Sequence, residues 1–193
     1  MRARLEAAAI VLALALSLAP PLAAQMSPPV PPANLPARCA EPEYRQFDFW
    51  IGEWRVFKTA KPDESVGSSL IESVYNGCGI RENWQPFSMM TGGSLNIYDR
   101  RVGLWHQTWI DSSGSRVEFE GGLVDGKMVL TGMWRNYAGP GKDALVRMTY
   151  SRLASGAVRQ LGEVSGDAGK NWKPGFDFTY QPEFTYRAHA KGD

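Results

Sequence analysis

Phe47-Asp48-Phe49-Trp50-Ile51-Gly52-Glu53-Trp54-Arg55-Val56-Phe57 is the stretch whose reading decides the fold. Aromatic residues crowd its first half, and a Gly-x-Trp (Gly52 to Trp54) opens its second half. Side chains alternate across a strand, so Trp54 and Val56 share one face and point to a core. Phe47, Phe49 and Trp50 lie just before that strand and are expected to close one end of a small β-barrel as a plug.

Downstream of the plug the chain shows no sustained helical period. Short apolar-alternating runs are separated by Gly, Asn, Asp and Pro, the pattern of all-β proteins. Strands are expected at 52–58, 69–76, 80–85, 94–98, 104–111, 116–121, 127–134, 144–152, 157–165 and 176–181. Asp125-Gly126 is the strongest hairpin dipeptide among the turns. Ten consecutive antiparallel strands with short links predict an up-and-down barrel, which leaves no exposed edge. An open β-sandwich is the alternative.

Three phrases occur in order: Phe-Asp-Phe-Trp-Ile-Gly-Glu-Trp from Phe47, Gly-Cys-Gly-Ile-Arg-Glu-Asn-Trp from Gly77, and Ser-Leu-Asn-Ile-Tyr-Asp from Ser94. With them the chain resembles a family of exported bacterial proteins described as a domain of unknown function with a calycin-like, or lipocalin-like, barrel. The resemblance runs over residues 44–181. It implies the barrel and export, and it supplies no catalytic residues.

The N-terminus reads as an export signal. Arg2 and Arg4 precede an apolar run from Ala7 to Ala19, Pro20 and Pro21 end it, and Ala23 and Ala24 provide small residues for cleavage. The run is short for a membrane span. Cleavage after Ala24 removes Arg2, Arg4 and Glu6 and leaves basic and acidic residues in equal number. A neutral chain argues against nucleic acid or an anionic membrane surface as the main partner. A periplasmic or secreted location without a membrane anchor is expected. Residues 25–43 are read as a linker, since five prolines between positions 25 and 38 oppose regular structure. The segment 182–193 is read as a tail.

An exported chain permits a disulfide between its two cysteines, Cys39 and Cys78. Closing a loop of about 40 residues would restrict the unfolded chain by roughly 4 kcal/mol in the chain-entropy account. Two free thiols are the alternative. Two Cys and two scattered His show no zinc-ligand spacing. No phosphate loop or Ser-His-Asp order is present, and no cofactor is expected.

Strand parity then proposes an interior. Ile80, Glu82 and Trp84 share a face, as do Trp105, Gln107, Trp109 and Asp111. Val117 and Phe119 turn inward because Arg116, Glu118 and Glu120 need water. Val158 and Gln160 turn inward for the same reason, opposite Arg159 and Glu163. Phe176, Phe178 and Tyr180 share a face. The fourth and eighth strands are ambiguous, and apolar counting turns Asn96 and Arg147 outward.

The resulting candidate ligand site comprises Trp54, Glu82, Trp84, Trp105, Gln107, Trp109, Asp111, Gln160 and Tyr180. Apolar walls with a few polar groups describe a small-molecule pocket. The bland reading is a packed core whose polar groups bind one another and buried water. The ligand expected is partly aromatic or apolar with a polar end. Glu82 between Ile80 and Trp84 must be protonated, paired with a base, or near a wet mouth. An enzyme using Glu82 or Asp111 as acid or base is the second hypothesis. An interaction module using loops 86–93 and 136–143, with Phe87, Met89, Met90 and Tyr137, is the third.

His106 falls on the outward face beside Leu104 and Ile110. His189 is a remoter candidate, because nitrobindin-like barrels hold haem through a late histidine. Ser165-Gly166-Asp167-Ala168-Gly169-Lys170-Asn171-Trp172 resembles one Asp-box of sialidases, with Asn171 in place of the usual Thr. A single copy is read as a hairpin device in which Ser and Asp side chains bond the turn backbone.

Overall fold

The computed structural model describes residues 39–183. The segment read as an export signal, most of that read as linker, and residues 184–193 with His189 lie outside them. Pro182 and Glu183, read as the start of a tail, belong instead to the barrel: Pro182 ends the last strand and Glu183 is buried, 3.0 Å from Arg55. Ten strands follow one another: β1 (Gly52–Lys58), β2 (Lys61–Val74), β3 (Gly79–Pro86), β4 (Gly92–Asp99) and β5 (Leu104–Asp111), then β6 (Arg116–Val124), β7 (Lys127–Trp134), β8 (Ala144–Arg152), β9 (Val158–Ser165) and β10 (Lys173–Pro182). Each pairs antiparallel with its sequence neighbours, and β1 pairs with β10 to close the barrel. The closing register sets Val56 opposite Tyr180. The sandwich alternative is thereby excluded.

Several strands run longer than their sequence suggests, β4 and β10 by three or four residues and β2 and β6 in ways that bear on the barrel. β2 begins at Lys61, inside a polar stretch without alternation, where Glu64 pairs with both Lys58 and Lys61. β6 runs through Gly121-Gly122 to Val124, and the hairpin falls at Asp125-Gly126, both at positive φ (49° and 73°). Gly121 is required there, because a Cβ at that position would sit 2.1 Å from the Val129 carbonyl oxygen.

Ionic pairs lace the outer wall. Arg159 meets Asp177 at 2.6 Å, Arg147 meets Glu163 at 2.9 Å and Arg81 meets Glu72 at 2.5 Å. Arg147 thus faces outward as expected, and its guanidinium lies 4.2 Å from the Trp172 ring centroid. His106 is also on the outer wall, 3.9 Å from Glu120.

The plug precedes β1. A 3-10 turn at Asp48–Trp50 buries Phe47 and Trp50 completely. These two rings stack at 4.9 Å, and Trp50 packs on Tyr150 at 4.8 Å. Trp54 Nε1 donates to the Trp50 carbonyl at 2.8 Å, and Trp105 Nε1 donates to Gln46 Oε1 at 3.1 Å. The expected disulfide is present: Cys39 and Cys78 have a Cα separation of 5.0 Å. Cys78 lies between β2 and β3, at the same end of the barrel as the start of β1, so the bridge fastens the chain leading into the plug. The segment read as linker up to residue 43 is ordered at its end, with a 3-10 turn at Pro42–Arg45.

Candidate binding site

The barrel interior is layered. The plug fills one end; above it lies a belt of polar side chains, and above the belt a cavity. The belt is a ring of hydrogen bonds that crosses six strands. Tyr180 Oη donates to Gln160 Oε1 at 2.7 Å, and Gln160 Nε2 donates to Tyr150 Oη at 3.0 Å. Gln107 Nε2 reaches Tyr150 Oη at 3.3 Å and Asn96 Oδ1 at 2.7 Å. Asn96 Nδ2 donates to Ser94 Oγ at 3.0 Å, and Ser94 Oγ donates to Glu82 Oε2 at 3.0 Å. Tyr180 Oη lies 3.5 Å from Glu82 Oε1 and completes the ring.

Asn96 corrects the apolar count. It is fully buried, whereas its neighbours Leu95 and Ile97 are 43% and 45% exposed. Its amide serves the belt and the Ile80 carbonyl, which accepts from Nδ2 at 3.1 Å. Satisfied polar groups are stable inside, and isolated apolar side chains outside cost little. β4 therefore shows the opposite of the usual apolar-in alternation.

Glu82 is 6% exposed. Its hydrogen-bonding partners are hydroxyls: Ser94, Ser69 at 3.4 Å, and Tyr180. Burial pushes its carboxyl up to about 7, against the opposing pull of those hydroxyls. Burial also raises Tyr150 and Tyr180, with the Glu82 charge adding to it, so both phenols stay neutral. Of the three alternatives for Glu82, protonation, a basic partner or a wet mouth, these partners do not supply the base.

Above the belt is a cavity of about 230 Å³. Its walls are Trp84, Trp109, Trp134, Phe176 and Phe178, with Met148 low in the wall and Met89 and Met90 at the mouth. Phe178 stacks between Trp84 at 6.0 Å and Phe176 at 5.3 Å. These residues come from the ends of β3, β5 and β7 and the start of β10, so the cavity opens at the end opposite the plug. Asp111 stands at that end. Its Oδ2 accepts from Trp109 Nε1 at 3.1 Å and its Oδ1 from the Ser113 backbone at 2.9 Å. Desolvation opposes its charge, yet hydrogen bonds from Ser113 and Trp109 together hold its carboxyl below the usual range.

Of the nine residues proposed from sequence, Glu82, Trp84, Gln107, Trp109, Asp111, Gln160 and Tyr180 line this cavity. Trp54 and Trp105 do not. Both belong to the plug layer, held there by their indole hydrogen bonds. Sequence reasoning missed Trp134, Met148 and Tyr150 in the wall, and Ser69, Ser94 and Asn96 around the carboxylate. The alternation Val146, Met148, Tyr150 carried the β8 signal. Nothing in the alternation of β4 marked Asn96.

The remaining candidates lie elsewhere. Met89 and Met90 are exposed at the mouth, but Phe87 is exposed against the Arg55 guanidinium, 5.6 Å from its ring centroid. Tyr137 packs on Trp134 at 5.6 Å, so the four do not form one patch. The Asp-box-like hairpin joins β9 to β10 at the open end. Ser165 Oγ accepts from the Gly169 backbone at 2.8 Å, Asp167 Oδ1 accepts from the Asn171 backbone at 2.9 Å, and Trp172 Nε1 donates to the Gly169 carbonyl at 3.0 Å. Its side chains are thereby occupied in shaping the turn. Among the described residues no group of three His, Cys, Asp or Glu side chains could hold a metal ion. None of their helices is long and apolar enough to cross a membrane. No protein-family model matches the chain, and no curated protein matches it as a relative.

Proposed function

We propose that this chain is an exported small-molecule-binding barrel whose ligand enters at the end opposite the plug. The ligand is partly aromatic or apolar, with a polar end that meets the belt. The observation carrying this reading is the cavity of about 230 Å³ between aromatic rings and a hydrogen-bonded polar floor. Apolar walls with a few convergent polar groups are the usual composition of a ligand site, and its volume below about 300 Å³ suits a small ligand. The Cys39–Cys78 disulfide favours a non-reducing compartment, which supports a periplasmic or secreted location. The likeness to exported calycin-like proteins points the same way.

Titrating the purified protein with a library of small aromatic fragments, read by tryptophan fluorescence, tests the reading. Saturable changes that disappear when Trp84 and Trp109 are replaced by Phe are expected. A library without a single saturable binder at millimolar concentration overturns it.

A second reading has its own observation. Glu82 is pushed up to about 7 while Asp111 is held low, and two carboxyls set apart in this way suit general acid–base work. The same library distinguishes the two. A bound fragment chemically altered by the wild type and unaltered by Glu82→Gln marks an enzyme, whereas unaltered fragments in both mark a binder.

A further inference from the structure

The charges that the cavity lining can offer a ligand are negative, and among the described residues its uncharged donors without a partner are the indole N–H groups of Trp84 and Trp134. Glu82 is buried; the hydroxyls of Ser94 and Ser69 donate to it, the second at 3.4 Å, while Tyr180 Oη lies 3.5 Å away with its proton given to Gln160. The lining formed by the described residues contains two carboxyls, Glu82 and Asp111, and no Lys, Arg or His.

Gln107 leaves a further acceptor unpaired within the belt that floors the cavity. Its Oε1 is buried and has no hydrogen-bond partner. Flipping the amide does not remove the problem. Asn96 must present Nδ2 to the Ile80 carbonyl, so its Oδ1 faces Gln107 and requires the Gln107 NH2 there. Gln107 Oε1 is thus left waiting for a donor. The donors of the belt are already committed: Tyr180 to Gln160, Gln160 to Tyr150, and Asn96 to Ser94. Around this floor stand the stacked rings of Trp84, Phe178 and Phe176, an apolar wall for the body of a ligand.

We infer that the cavity takes a small organic ammonium ion, its charged nitrogen at Glu82 and its compact apolar or aromatic body between Trp84, Trp109 and Phe178. This assignment rests on the reading of the barrel as a ligand-binding protein. An anionic ligand would meet two carboxyls with no base to offset them. A neutral ligand brings no charge to offset the ionised form of Glu82 and so favours its protonated form. An ammonium supplies three N–H donors and the missing charge at once.

The carboxyl of Glu82 makes binding depend on pH. The groups facing it are Ser69 on β2, Ser94 on β4, Tyr150 on β8 and Tyr180 on β10, with Asp111 at the mouth. The tyrosines stay neutral and Asp111 stays charged across the neutral range, so Glu82 is the group that titrates there. The ammonium binds its ionised form. Affinity rises with pH up to about 7, and below that it falls by as much as tenfold per pH unit.

Isothermal titration calorimetry with three probes on one skeleton tests this: 2-phenylethylamine, 2-phenylethanol and 3-phenylpropanoate. At pH 8 the amine is expected to bind at least about tenfold more tightly than the other two. Glu82→Gln is expected to erase that preference, bringing the amine to within about threefold of the alcohol measured on the same variant. The wild-type pH profile reads the same carboxyl without any substitution. Equal or tighter binding of the alcohol or the propanoate overturns the ammonium assignment and leaves the barrel a binder of another class. No binding of any of the three also overturns it, and the barrel reading falls with it only if the wider fragment library is blank as well.

Discussion

Gln107 Nε2 donates to Asn96 Oδ1 at 2.7 Å, between register partners of β4 and β5 and wholly inside the barrel. The pair joins the half of the belt anchored at Glu82 to the half anchored at Tyr150. Replacing Asn96 by Leu keeps the volume roughly constant and removes the polar atoms. Gln107, Ser94 and the Ile80 carbonyl each lose a partner. A buried group left unpaired costs about 1–3 kcal/mol, so Asn96→Leu should lose roughly 2–4 kcal/mol. Urea denaturation measures this directly. A neutral substitution would mean that water replaces the amide and that the belt is not a coupled unit.

Glu82 sets the pH dependence of stability. Its folded carboxyl titrates at about 7, against 4.5 for the ordinary side chain. Between those values the folded protein holds more protons than the unfolded chain, so stability falls as pH rises. The stabilising contribution is complete below about 4.5 and gone above about 7. The shift corresponds to roughly 3 kcal/mol. Glu82→Gln should therefore be the more stable protein at pH 8, with a flat profile from pH 5 to 8. Thermal melts across that range decide it, and parallel profiles for the two proteins would contradict the assignment. A cost in stability borne by a group in a cavity is what a functional carboxyl leads one to expect.

Much of this interior was legible because charge marks the outer face. Arg116, Glu118 and Glu120 fixed the parity of β6, and Arg159 with Glu163 fixed β9. The plug was legible from its aromatic density alone. β4 was not, because its outer face carries Leu95 and Ile97 and its inner face carries Ser94 and Asn96. Counting apolar residues assumes an apolar interior, and a belt of amides reverses the count at that level of the barrel. Trp54 and Trp105 were assigned to the right face but the wrong layer. Parity gives the side of a strand and not the height, and height decides whether a ring meets the plug or the cavity. The start of β2 was illegible for another reason: Lys61 to Glu64 is held by backbone pairing and surface ions, neither of which leaves a hydrophobic period.

Trp50 anchors the plug, fully buried against Phe47, Tyr150 and Tyr180. Truncation to Ala should cost about 3–5 kcal/mol. Its Nε1 has no hydrogen-bond partner. Trp50→Phe removes that buried donor while it removes volume, so the two effects oppose and the loss should be less than half that of Trp50→Ala. Guanidinium unfolding of the two variants compares them. Equal losses would show that the orphaned indole N–H costs nothing.

Gly162 faces inward on β9, and the Phe176 ring lies over it. A Cβ built on Gly162 would stand 2.3 Å from the far edge of that ring. The ring can turn, so Gly162→Ala should fold with a loss of about 1–2 kcal/mol. Its effect on the cavity should be larger. Phe176 must swing toward Phe178, its stacking partner at 5.3 Å, and take up space a ligand would use. Fragment affinity should fall at least about tenfold, as expected when a site loses room for a methylene or more. Unchanged affinity with a shifted Phe176 would place the ligand higher, at Met89 and Met90.

Cys39 and Cys78 are 39 positions apart in sequence, and their bridge joins the plug segment to the turn between β2 and β3. The barrel does not need the bridge to close, since β1 already pairs with both β2 and β10. Its contribution acts through the unfolded chain, whose freedom it restricts by roughly 4 kcal/mol in the chain-entropy account. For a domain of this size each kcal/mol moves the melting temperature by about 2–4 °C. Reduction, or Cys39→Ser with Cys78→Ser, should lower the melting temperature by about 10 °C. The reduced protein should stay folded at 25 °C and keep the circular dichroism of its sheet. The plug should loosen first, because the bridge fastens the segment leading to Phe47 and Trp50 and no strand depends on it. Hydrogen exchange of the Trp50 and Ile51 amides, which bond within the plug turn, should accelerate before that of β5 or β8. Exchange rising uniformly across the barrel would mean instead that plug and barrel unfold as one unit. Mass spectrometry of the untreated protein settles the premise, since two freely alkylated thiols would refute the bridge.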